Sequence, residues 1–84
     1  MKELIGKNIV WNESVEITLT LNGVIRERRE KKYYYVDDYK HYKDRFGYNQ
    51  SEYILIALDG TGRKSKVHKI IFEDEVKKGN IKEV

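Results

Sequence analysis

Apolar and polar residues alternate most cleanly between positions 15 and 21, where Val15, Ile17, Leu19 and Leu21 are interleaved with Glu16, Thr18 and Thr20. A two-residue period is that of a strand with one face buried. Asn22-Gly23 follows and supplies a tight hairpin turn. A type I turn closed by a bulge at Gly23 sets Leu19 opposite Ile25 on the core face, and Thr18 opposite Arg26 and Glu16 opposite Arg28 on the wet face. Upstream, Leu4, Ile5, Ile9, Val10 and Trp11 make a strand apolar on both faces, which belongs in the centre of a sheet or at the closure of a barrel.

Beyond the hairpin, Tyr33-Tyr34-Tyr35-Val36 continues the returning strand. Asp37-Asp38 can then cap a short helix, because Tyr39, Tyr42 and Phe46 recur at i, i+3 and i+7 and Gly47 stands where a helix often ends; an irregular loop is the alternative. Tyr53 to Leu58 is a continuous apolar run and reads as a buried strand, Asp59-Gly60-Thr61-Gly62 as a turn, and Val67 to Phe72 as the partner strand. Glu73 to Val76 reads as one tight turn, and Asn80 to Val84 as a final short strand. The expected class is all-β, or mainly β with one short helix: a small, partly closed SH3-like or Sm-like barrel of five to six antiparallel strands. An open antiparallel sheet carrying one helix is the alternative. Residues 1–84 make a single domain without a linker.

Length and composition narrow the chemistry. A chain of 84 residues buries only about 60% of the surface its unfolded form exposes, so an enclosed catalytic site competes with the core for few apolar residues. There is no cysteine, hence no disulfide, thiol nucleophile or cysteine zinc site. His41 and His68 are isolated, which gives no metal-ligand spacing, and the acidic pairs Asp37-Asp38 and Glu73-Asp74-Glu75 are sequence neighbours rather than carboxylates facing across a cleft. The glycine turn lacks the spacing of a phosphate-binding P-loop, since Arg63 separates Gly62 from Lys64. These features describe a non-enzymatic binding module without cofactor or metal. No apolar run reaches membrane-spanning or signal-peptide length, so the expected setting is cytoplasmic and away from the membrane. Nine isoleucines, one alanine and abundant Lys, Tyr and Asn resemble the residue usage of an AT-rich bacterial or phage genome.

Charge separates along the chain. Residues 26–69 hold twelve Lys/Arg against seven Asp/Glu, net +5, while the flanks hold five against seven, net −2. All seven tyrosines also lie in this middle segment. Cations neutralise phosphate and aromatic rings stack on bases, so the mixture points to nucleic acid or a phosphorylated nucleotide. The candidate ligand-binding residues are Arg26, Arg28, Tyr33, Tyr35, Arg45, Tyr48, Arg63, Lys64, Lys66 and Lys69. Tyr and Arg also anchor protein interfaces, so the alternative is a phage or mobile-element protein that inhibits or adapts a larger host protein through Tyr33 to Tyr53. A third reading takes the rings as half-buried strand residues and the cations as solubilising surface.

Tyr53-Ile54-Leu55-Ile56-Ala57-Leu58-Asp59, followed by Arg63-Lys64-Ser65-Lys66-Val67-His68-Lys69-Ile70, resembles the core of WYL domains, which are Sm-like barrels of bacterial transcription regulators and defence-associated proteins. Leu55, Ala57 and Asp59 match on the first strand and Arg63 and Ile70 on the second, with Lys66 and Lys69 as basic substitutes; Tyr53 and Ile54 replace the family's Trp and Tyr. The resemblance covers roughly residues 15 to 71. It implies a barrel and a nucleic-acid or nucleotide surface at Arg63, Lys66 and Lys69.

Overall fold

Two long strands form the frame in the computed structural model, which describes residues 2–84. Strand β1 (Asn8–Leu19) pairs with β2 (Ile25–Lys43); β3 (Asn49–Ala57), β4 (Lys64–His68), helix α1 (Lys69–Lys77) and β5 (Ile81–Glu83) follow, and a 3-10 turn at Lys2–Leu4 precedes. All pairings are antiparallel, and the strand order is β4-β3-β2-β1-β5. The fold is thus mainly β with one short helix and five strands. The sheet is not closed: β4 and β5 are its two edges, and α1 lies over one face where a barrel would have curled the sheet onto itself.

Strand alternation sorts the residues of β1 to β3 onto two faces. Ile9, Trp11, Tyr34, Val36, Tyr53 and Leu55 face α1 and form the buried core with Phe72 of α1 and Ile81 of β5. Phe72 stacks on Tyr53 at 4.2 Å between ring centroids, and Tyr39 meets the same ring edge-on at 4.9 Å. Leu4, Ile5, Val67 and Val76 pack around this cluster. Two core phenols reach polar partners at its rim, Tyr34 donating to Glu13 at 2.6 Å and Tyr53 to Glu73 at 3.0 Å. Those bonds let large rings enter a small core without an unpaired hydroxyl.

The early hairpin has the expected register, with Leu19 opposite Ile25, Thr18 opposite Arg26 and Glu16 opposite Arg28. Gly23 donates to the Thr20 carbonyl, Thr20 donates to that of Val24, and Gly23 sits at φ 74°, as a type I turn with a glycine bulge requires. The expected burial does not follow: Ile17 is 69% exposed and Leu19 70%. β3 ends at Ala57 opposite Tyr34, and β5 reaches only Trp11, so residues 14–19 and 25–32 project as a two-stranded arm with nothing packed on it.

Two other expectations are corrected. Residues 39–46 form no helix, because β2 runs on to Lys43 and pairs with β3 throughout, so the helical spacing of Tyr39, Tyr42 and Phe46 is coincidental. Asp37 is absorbed as a bulge, and the Asp44 carboxylate holds the β2–β3 turn by accepting the Phe46 and Tyr48 amides. The strand over Val67 to Phe72 instead stops at His68, and the residues from Lys69 through the expected Glu73–Val76 turn are α1. His68 caps that helix, its Nδ1 accepting the Ile70 amide at 3.2 Å. Phe72 and Val76, four residues apart, face inward while Ile70 and Ile71 stay exposed, so an apolar run that reads as a strand is used at helical period.

Candidate nucleic-acid interface

The face of the sheet opposite α1 has no helix or strand packed on it among the described residues. Cross-strand partners share a face, so the register identifies its residues. On β2, Tyr33 lies opposite Val10 of β1, and Tyr35 opposite Ile56 of β3, which in turn faces Lys64 of β4. One step along, Asp38 faces Ile54, which faces Lys66; further still, Lys40 faces Glu52 and Tyr42 faces Gln50. Tyr33, Tyr35 and Tyr42 thus share one face of β2, with Asp38 and Lys40 between the last two, and Lys64 and Lys66 lie on the same face one strand beyond, across Ile56 and Ile54, Lys64 being 4.0 Å from the Asp37 carboxylate. Tyr33 is 51% exposed and Tyr42 44%, while Tyr35 is half-buried. Tyr42 donates to Glu52, which raises its own pKa chiefly through that bond, so its hydroxyl is committed within the sheet.

Beyond Tyr33 a cleft of about 480 Å³ lies at the end of the sheet, lined from the α1 side by Lys32, Tyr34, Ala57, Arg63 and Ser65 and otherwise by Lys31, Tyr33, Leu58 and Asp59. Lys32 is held by Glu13 at 3.3 Å. The Asp59 carboxylate accepts the Thr61 hydroxyl and amide, bonds that hold its pKa below the usual range, with Arg63 adding to the effect. Among the described residues neither Lys31 nor Arg63 makes an ion pair, though the Arg63 charge acts on Asp59 across the cleft. A second cleft, on the α1 side, contains Glu13 and Glu75 among its lining residues and does not suit an anion.

The ten residues singled out in the sequence do not form one site. Tyr33, Tyr35, Lys64 and Lys66 share the open face, whereas Arg63, opposite Ala57, alternates onto the α1 side and lines a cleft at the end of the sheet. Arg26 and Arg28 lie on the arm, at positions of β2 that alternate onto the opposite face, and Arg28 is engaged by Glu16 and Glu30. Arg45 and Tyr48 sit in the β2–β3 turn at the far end of β2, where Arg45 lies over the Phe46 ring. Lys69 begins α1. Lys31, Lys40 and Tyr42 belong to the open face and went unrecognised, although counting in twos from Tyr33 along an unbroken strand reaches Lys31. Beyond Tyr35 the bulge at Asp37 shifts that count and hides Lys40 and Tyr42.

His68 links the two ends of this region. Its Nδ1 is an acceptor in the helix cap, so the ring proton sits on Nε2 and is donated to Gln50 Oε1 at 3.2 Å; Gln50 in turn donates to Asp44 at 3.0 Å. The chain of bonds fixes the β2–β3 turn to the start of α1. Among the described residues no three His, Asp or Glu side chains group as a metal site, and no helix is long and apolar enough to cross a membrane.

No family model, curated protein or solved structure matches this chain.

Proposed function

We propose that the protein binds single-stranded nucleic acid along the open face of its sheet, with Tyr33 and Tyr35 as stacking platforms and Lys31, Lys40, Lys64 and Lys66 as phosphate partners. The observation that carries this reading is the pair of rings at Tyr33 and Tyr35 on an uncovered face that also presents Lys64 and Lys66 of β4 across β3. Successive same-face residues on a strand are about 6.8 Å apart, roughly twice the 3.4 Å rise of a base in a duplex strand. An extended single strand can therefore set neighbouring bases on neighbouring tyrosines. A duplex, with its bases already stacked, cannot. The reading narrows the expected ligand surface: Arg26, Arg28, Arg45, Tyr48, Arg63 and Lys69 fall outside it, and no catalytic group is needed.

Fluorescence anisotropy with a labelled oligonucleotide tests it. Affinity is expected to fall with salt, by about 0.7 in logarithmic slope for each phosphate neutralised, and Lys64→Ala with Lys66→Ala to lessen that slope. Tyr33→Ala is expected to weaken binding by about 5- to 150-fold, the equivalent of losing one stacked base, without altering the fold. Absence of binding, or binding indifferent to both Tyr33 and salt, would overturn the proposal.

A protein partner is the second reading, favoured by the β2–β3 turn, where Phe46 is 72% and Tyr48 68% exposed beside Arg45. Exposed aromatics beside an arginine are the usual anchors of a protein interface. Phe46→Ala with Tyr48→Ala would then abolish partner capture and leave oligonucleotide affinity unchanged.

A further inference from the structure

The arm formed by residues 14–19 and 25–32 concentrates apolar surface where a monomer has no use for it. Ile17, Leu19, Leu21, Val24 and Ile25 are all more than half exposed, at 69, 70, 107, 53 and 70%. A two-stranded ribbon is marginally stable in water by itself, and an apolar patch at its tip marks a contact surface.

The arm has two free edges, and they differ. Along β2 the edge carries Arg26, Arg28, Arg29, Lys31 and Lys32, the kind of charge that keeps a strand edge from pairing. β1 carries no Lys or Arg at all from Asn8 to Leu19, and its edge is unguarded beyond Asn12, whose amide makes the last bond toward the β5 side. Backbone direction on that edge follows from the turn. Thr20 exchanges bonds inward with Val24 and Gly23, so Thr18 and Glu16 also point toward β2, whereas Ile17 and Leu19 present their N–H and C=O groups outward.

We propose that the β1 edges of two copies of this chain pair antiparallel about a two-fold axis at Ile17, joining the two sheets into one. The sequence is self-complementary in that register. Ile17 faces Ile17 of the second copy, Glu16 faces Thr18, and Leu19 meets the bulge residue Val15, so apolar residues oppose each other and no charge opposes a like charge. The arm's charges are largely satisfied internally, since Arg28 is paired with Glu16 and Glu30, Arg29 with Glu27, and Lys32 with Glu13. With five cations against four carboxylates over residues 13–32, two arms approach without strong mutual repulsion. A two-fold axis makes the contact isologous, so it closes at a dimer and does not propagate.

The absence of cysteine makes the geometry directly testable. Single variants Ile17→Cys and Leu19→Cys of the full chain are oxidised and resolved on a non-reducing gel. In the proposed register the two Cα atoms at position 17 are about 5.5 Å apart, within disulfide range, so Ile17→Cys is expected to form a covalent dimer. The two copies of position 19 are offset by four residues, about 13 Å along the strand, so Leu19→Cys is expected to remain monomeric. Sedimentation of the parent chain at up to about 1 mM is expected to show a reversible monomer–dimer equilibrium that Ile17→Lys abolishes with an unchanged circular dichroism spectrum. Equal cross-linking at both positions, a strictly monomeric parent, or a dimer that survives Ile17→Lys would overturn the proposal.

Discussion

Replacing Phe72 by alanine measures how α1 is held. The helix has nine residues, too few to persist alone in water, so its position depends on what it buries. Phe72 is its one fully buried side chain, at 0% exposure, and stacks on Tyr53, itself at 0%. Truncating a buried phenylalanine to alanine costs about 3–5 kcal/mol. A domain of 84 residues has a total stability of about 4–13 kcal/mol, so the change should remove a large part of it or all of it. Ile71, next in sequence and 56% exposed, provides the control: Ile71→Ala should stay within about 0.5 kcal/mol, helped by alanine's higher helix propensity. Urea titrations followed by Trp11 fluorescence and far-ultraviolet circular dichroism give both values, and equal slopes confirm a common unfolding reaction. A loss below about 1 kcal/mol for Phe72→Ala, or an equal loss for Ile71→Ala, would refute the view that this ring seats the helix.

Three further outcomes are expected. Burial first, and then the bonds to Glu13 and Glu73, raise the Tyr34 and Tyr53 pKa values above their ordinary 10.0. The unfolded chain therefore loses these protons first, and stability present below pH 10 should fall as pH rises beyond it; urea midpoints between about pH 8 and 11 test this, with Tyr53→Phe flattening the decline. Asp44 and Asp59 are held below their ordinary 3.8, chiefly by bonds from Gln50 and from the Thr61 hydroxyl respectively, so their stabilisation is present above that value and disappears as pH falls below it; Asp44→Asn should lessen the acid sensitivity of the midpoint. Leu19→Ala should cost no more than about 0.5 kcal/mol in dilute solution, against about 2–5 for the fully buried Leu55→Ala, and similar losses would place the arm inside the core.

The hairpin around Gly23 was legible because its register depends only on local turn chemistry and a two-residue period. The burial of its apolar face was not, since that depends on where β3 and β5 stop, a long-range fact with no mark in residues 15–25. The run Val67 to Phe72 misled for a related reason: short apolar stretches fit a strand or a buried helix equally, and His68 decides the outcome as a cap that composition does not announce. In the middle segment β-propensity competed with an accidental helical spacing, and pairing of β2 with β3 resolved it. The basic, tyrosine-rich character of residues 26–69 was plain, but its division between two faces became visible beyond Tyr35 only once the bulge at Asp37 was located.

That division explains how one strand can carry both core and surface aromatics without conflict. Tyr33, Tyr34 and Tyr35 are consecutive, so the pleat sends Tyr34 into the core and its two neighbours to the open face. Tyr34 is 9% exposed, meets Trp11 edge-on at 6.2 Å and ties its hydroxyl to Glu13, so the strand is anchored at this point from the α1 side. The rings at 33 and 35 are thereby held to a rigid backbone and lose little freedom when something stacks on them, which favours binding. The core can then tolerate changes at Tyr33 that it cannot at Tyr34. A strand built this way separates the residues that keep the fold from those free to serve a ligand, one position apart along the chain.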